Sequence, residues 1–201
     1  MVRTEVLDAD LSIPEGMEIV IKKLNAIRDL DILVNNAGYG INKPFLNLEN
    51  NQIMEMINVL YVAPLKFSQV ALNKMIERER GVLINNASAS AIAKSGEIYA
   101  TAKAALVMFT ESIKNHIRVK DIHLQALCPG FTYTEFHDTE SMKGFVRKEN
   151  QNWMSVEEVV KLSLENIKSR YPLFIPGEKN RELMKIMRES NKRSYLNLKI
   201  L

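Results

Sequence analysis

Gly81-Val82-Leu83-Ile84-Asn85-Asn86-Ala87-Ser88 is an apolar run that ends in two amides, a small residue and a hydroxyl. A short run of this kind fits a parallel strand buried on both faces, where neither side of the pleat meets water. Asp31-Ile32-Leu33-Val34-Asn35-Asn36-Ala37-Gly38, upstream, has the same design. Its small residues and amides let the backbone pass close to a ligand while satisfying nearby backbone groups. Between the two runs the spacing turns helical. Ile53, Met56, Ile57 and Leu60 share one face of a segment over residues 51–79, with a kink expected at Pro64.

Downstream lies Tyr99-Ala100-Thr101-Ala102-Lys103 on a helix expected over residues 97–119. A tyrosine and a lysine four residues apart stand one turn apart on the same helix face. A free phenol titrates near about 10 and is a poor acid or base at neutral pH. A lysine ammonium beside it favours the phenolate and is expected to lower that value towards the working range. The surrounding alanines permit close packing and close ligand approach.

The bulk numbers bound the function. The chain has 201 residues, 46% hydrophobic and 25% charged, which fits one ordinary globular domain over 1–201. A formal charge of +3 is too small and dispersed to argue for nucleic acid. The single Cys128 excludes an intramolecular disulfide and a cysteine metal cluster, and no metal is expected. There is no apolar run long enough to span a membrane and no signal-peptide pattern, so the cytoplasm is the expected compartment. The eight glycines are scattered, and none form the clustered turn that cradles a pyrophosphate.

The remaining elements follow in order. Residues 4–7 read as a short strand ending at Asp8-Ala9-Asp10-Leu11. A helix over residues 12–28 is expected, with Ser12 as its cap and Pro14 in its first turn. Strands are expected over residues 122–127 and 171–175, with a helix capped by Ser155 between them. Residues 136–152 are polar and mixed, and read as a mobile lid. The last helix carries Arg181, Lys185, Arg188, Lys192 and Arg193 as a solvated face.

Taken together with Pro129-Gly130-Phe131-Thr132-Tyr133-Thr134, these motifs resemble the short-chain dehydrogenase/reductase family over most of the chain, from Val6 to Gly177. The resemblance implies a Rossmann-like, doubly wound parallel sheet, N-terminally truncated. The first two strands and the turn Thr-Gly-x-x-x-Gly-x-Gly are missing. It implies a hydride passing between a nicotinamide cofactor, NADP ahead of NAD, and a carbonyl or secondary alcohol. Tyr99 would give or take the proton, Lys103 would hold the nicotinamide ribose, and Ser88 would orient the carbonyl. The spacing from Ser88 to Tyr99 is short for the family, which makes Ser90 a second candidate. Asn58 takes the position of an asparagine whose backbone anchors a relay water. Asp10 would meet the adenine amino group or merely cap its loop. Asn36, Ala37 and Gly38 would line the nucleotide, and Gly130, Thr132 and Thr134 would meet the carboxamide. The segment over 136–152 would cover the site.

The truncation has two expected consequences. Residues 32–34 become an exposed apolar edge, and residues 1–201 alone fold poorly or aggregate. The simplest source would be a start codon assigned too late or a gene that has lost its 5′ end. The rival reading is an inactive truncated paralogue, at most a binding or dimerising module. A full-length form is expected to be a homo-oligomer.

Overall fold

The computed structural model describes residues 4–93, 97–149 and 151–196, with side chains up to residue 189. Its elements in chain order are α1 (Pro14–Ala26), β1 (Ile32–Asn35), α2 (Asn50–Ile57), α3 (Ala63–Glu77), β2 (Arg80–Asn86), α4 (Ser90–Ala93), α5 (Glu97–His116), β3 (Asp121–Leu127), β4 (Phe131–Thr132), β5 (Trp153–Met154), α6 (Val156–Glu165), β6 (Leu173–Phe174) and α7 (Glu178–Leu196). The main sheet has the order β1-β2-β3-β6, and every pairing in it is parallel. This is the α/β, Rossmann-like arrangement that the resemblance implies.

The period of two along β2 and β3 explains the layering. Leu83, Ile122 and Leu124 point to one face, into a core with Met17 and Leu24 of α1 and Phe67, Ala71, Leu72 and Met75 of α3. Ile84 and Leu127 point to the other face, against Val159 of α6 and Met154. The central strands are thus covered on both sides, as their unbroken apolar runs require. Gly81 is needed for the first layer, since a Cβ there would lie 2.3 Å from Met75 Cγ.

Several local expectations change. Residues 4–7 form no strand, and Val6 is 93% exposed. A strand is held by its neighbour's hydrogen bonds, and none is present among the described residues. For the same reason β1 is the exposed apolar edge expected of a chain lacking the first two strands, with Ile32 and Val34 about half exposed. Ser12 does not cap α1. The cap is Ile13, Pro14 fills the first helical position, and the Ser12 N–H turns back to the Asp10 carboxylate at 2.8 Å. The helix over 51–79 is interrupted by a π-turn over Asn58–Val62. Pro64 follows it directly and has no N–H to give to the preceding turn, so the ladder re-registers upstream, with Ala63 N–H bonding Asn58 O. Ser155 caps α6 as expected, accepting the Glu158 N–H at 3.1 Å.

The described residues of the segment over 136–152, namely 136–149 and 151–152, pack around aromatic rings rather than as a polar strap. Phe131, His137, Phe145 and Trp153 lie with centroids 4.5–6.5 Å apart. Arg147 grips Asp138 at 2.7 and 2.8 Å and lies over Trp153. Asn42 ties this segment to the loop after β1 through Ser141 O and Lys143 O. On α7, Arg181, Lys185 and Arg188 are exposed as expected, whereas the Lys192 and Arg193 side chains lie outside the described residues.

Candidate active site

The C-terminal ends of β1 and β2 converge with α5. Both strands end in paired asparagines, and the first of each pair is buried. Asn35 Nδ2 donates to Asn85 Oδ1 at 2.7 Å and to Ser68 Oγ at 3.1 Å. Asn85 Nδ2 donates to Thr110 Oγ1 at 2.9 Å. These amides and hydroxyls satisfy one another inside the protein, which fixes the strand ends and α5 in one register. The second of each pair faces the crest, where Asn86 Nδ2 donates to Asn36 Oδ1 at 2.8 Å. Asn86 Oδ1 is buried and has no hydrogen-bond partner among the described residues.

Lys103 reaches this crest from inside α5. Its side chain is only 4% exposed, and its ammonium donates to the Asn86 carbonyl at 2.5 Å. Burial lowers its pKa to about 8. Nζ lies 5.8 Å from the Tyr99 ring centroid and would be 3.6 Å from a Cβ on Gly38. Gly38, Ala37 and Asn36 are themselves exposed, leaving the crest open above the lysine.

Tyr99 does not behave as the pairing alone predicts. Burial raises its pKa above the ordinary phenol value, a hydrogen bond from Ser88 acts the other way, and the Cys128 thiol raises it slightly further. Lysine is not the controlling influence, because its ammonium is turned to the Asn86 carbonyl. At neutral pH Tyr99 is therefore a protonated phenol. Ser88 Oγ accepts from both the N–H and the hydroxyl of Ser90, at 3.1 and 2.9 Å. With its oxygen taken by Ser90, Ser88 gives its own proton to the Tyr99 hydroxyl.

Other expected residues stand apart from this cluster. Asn58 turns its amide away, donating to Ser12 O at 2.7 Å. The Asp10 carboxylate is held below its usual range by hydrogen bonds from the Ser12 side chain and backbone. Thr132 donates to Gly130 O at 3.1 Å, and Thr134 accepts the Phe136 N–H at 3.2 Å. Gly130 has a definite reason to be glycine, since a Cβ would lie 2.8 Å from the buried Asn180 amide. Cys128 is buried core, its thiol raised to about 12 by burial.

The sequence reading missed Asn35, Asn85, Asn86 and Asn180 as organising residues. The repeated Asn-Asn at two strand ends was the available signal. For Asn180 the sequence offers none.

The model of the short chain dehydrogenase family matches residues 2–143. The ketoacyl reductase HetN of Nostoc sp. is 30% identical over 106 residues, 51% of this chain and 36% of that protein. The 3-oxoacyl-[acyl-carrier-protein] reductase FabG of Aquifex aeolicus is 32% identical over 113 residues, 55% of this chain and 46% of that protein. The chain thus matches less than half the length of either relative. A short-chain dehydrogenase from Sphingobium yanoikuyae, solved in complex with NADPH, superposes with a TM-score of 0.78 at 20% identity. The superposition covers 96% of this chain and 75% of that one, a likeness of fold. No helix among the described residues is long and apolar enough to cross a membrane.

Proposed function

The chain belongs to the short-chain dehydrogenase family, and from that premise we propose that it reduces carbonyl compounds, or oxidises secondary alcohols, with a nicotinamide cofactor. The observation that carries this reading is the buried Lys103 beside Tyr99 and Ser88, under an open crest of small residues. We take residues 1–201 as one domain of that kind.

The crest suits the nicotinamide-ribose end of a dinucleotide. Exposed Asn36, Ala37 and Gly38 leave room for it, and the unpaired Asn86 Oδ1 and the Lys103 ammonium would hold its hydroxyls. Asp10 lies beyond β1 as a candidate for the adenine end, and Gly130, Thr132 and Thr134 for the carboxamide. NADP is taken ahead of NAD. The bound cofactor would supply or accept the hydride.

Everything else falls to this chain's own groups. Ser88, whose hydroxyl is turned to Tyr99 in the free chain, would turn to hydrogen-bond the substrate carbonyl oxygen and fix its direction. Tyr99, protonated at neutral pH, gives its phenolic proton to that oxygen as negative charge develops there. Lys103, with a pKa of about 8, is a proton source that restores the phenol. Asn58 would anchor a relay water to Lys103 through its backbone, its side chain being given to Ser12 O. Tyr99 is in the protonated form that the reducing direction requires of its acid. The test is oxidation of NADPH and NADH by the purified chain across aldehydes and ketones. Carbonyl-dependent consumption is expected, faster with NADPH. Its absence across the panel, with no nucleotide bound, would instead favour the reading of an inactive binding or dimerising module.

The dimerising side of that reading has a surface. Between α3 and α5 lies a groove of about 660 Å³ lined by Leu65, Leu72, Ile76, Phe109 and Ile113, which a second copy of the chain would cover in a homo-oligomer.

A further inference from the structure

Glu97 opens α5 two residues before Tyr99, with φ at +43°. This is left-handed backbone, which glycine or asparagine adopts at little cost and glutamate does not. Such a conformation persists where surrounding contacts over-determine it. The contact here is long-range: the Glu97 carboxylate accepts the backbone N–H of Phe45. The loop between β1 and α2 is thereby fastened to the start of the helix that carries Tyr99. Loop and helix together border an open pocket of about 350 Å³. Ile41, Pro44, Leu48, Met56 and Ile98 make its apolar wall, and Tyr99 closes one side.

We propose that Glu97 is a positioning residue that sets substrate specificity. Its carboxylate holds the 41–48 loop against α5 and so forms an apolar slot beside Tyr99 for the hydrocarbon arm of a carbonyl substrate. The inference rests on the reading of Tyr99 as proton donor. The slot has the size of the smaller small-molecule sites, and its apolar residues offer dispersion contacts, with the Glu97 carboxylate and Lys43 on the same lining. Lys43 and Asn42 stand exposed at its mouth, where a polar end would meet water. Without the Glu97 bond nothing else among the described residues ties Phe45 to α5 by a hydrogen bond. The slot would then open while the Ser88, Tyr99 and Lys103 cluster, held from β2 and α5, stayed in place.

The experiment uses the whole 201-residue chain and straight-chain methyl ketones of four to eight carbons. Binding is read by ligand-observed NMR and turnover by NADPH oxidation. Glu97→Gly removes the acceptor but relaxes the backbone, so a lower melting temperature is not expected from it. Glu97→Gln keeps an acceptor of the same reach. The wild type is expected to bind the eight-carbon ketone at least about tenfold more tightly than the four-carbon one, by burial of the added methylenes. Glu97→Gln should keep that ratio, and Glu97→Gly should reduce it to within about twofold, the loss appearing in KM for the long ketones. A ratio unchanged in Glu97→Gly, or lost equally in Glu97→Gln, would overturn the proposal. A wild type that reduces ketones without a length gradient would overturn it too, leaving the hydride-transfer reading intact. A gradient in binding with no turnover would uphold the slot and sink hydride transfer.

Discussion

The two ends of the sheet are built to different degrees. At β2, β3 and α5 polar groups are buried and paired: Asn85 with Asn35 and Thr110, Gln125 with Ser163, Lys103 with the Asn86 carbonyl. At β1 and the residues before α1, apolar groups meet water, with Val6 at 93% and Ile32 and Val34 near half exposure. The difference teaches where each part of the chemistry resides. Groups that would move a proton are held rigidly inside the fold. Groups that would meet a nucleotide line an open rim, where Asn36, Ala37 and Gly38 are exposed and Thr132 and Thr134 make local bonds. A buried lysine is a cost to folding that the built end carries, and an unpaired edge is a cost the open end carries.

Lys103→Met breaks the built end most sharply. The wild-type amine has a folded pKa of about 8 against an ordinary 10.5. Below pH 8 it is protonated in both states, and folding bears the whole penalty, on the order of 3 kcal/mol. Between 8 and 10.5 the folded amine loses its proton first, so the penalty fades as pH rises. Replacing it forfeits the bond to the Asn86 carbonyl, at a cost of about 1 kcal/mol. The variant should therefore unfold about 1–2 kcal/mol later than wild type at pH 7 in urea titrations. The advantage should vanish between pH 8 and 10.5 and become a deficit of about 1 kcal/mol above that range, and carbonyl reduction should be lost throughout. Equal stability curves at every pH would mean that the lysine is solvated.

Val34→Lys sharpens the open end, with a smaller effect. A charge on an unpaired edge strand blocks edge-to-edge association. The change in stability should stay within about 0.5 kcal/mol, while self-association at high concentration, read by light scattering, should fall. Undiminished association would place the sticky surface elsewhere, with the groove between α3 and α5 as the next place to look.

The same division explains what the sequence made legible. Local signals survived into the structure: the apolar runs of β1 and β2, the Tyr99–Lys103 spacing, the Ser155 cap and the strand order of the parallel sheet. Features that depend on distant partners did not. Residues 4–7 have strand composition but no neighbour. The aromatic cluster draws on Phe131, His137, Phe145 and Trp153, too far apart in the chain to show a period. The Tyr99 pKa moves opposite to expectation because burial raises it more than the Ser88 hydrogen bond lowers it, and burial is a property of the assembled core. The Asn58 amide serves Ser12, forty-six residues away, a contact that no local pattern shows.

The most direct measurement compares wild type with Tyr99→Phe for carbonyl-dependent NADPH oxidation, alongside circular dichroism of both. Phenylalanine keeps the ring that packs edge-on to Phe136 and removes only the acidic proton. The account predicts unchanged spectra and turnover reduced by about 10²–10⁴-fold, the range of a lost general acid. Turnover within a fewfold of wild type would contradict it, since the proton would then come from another group.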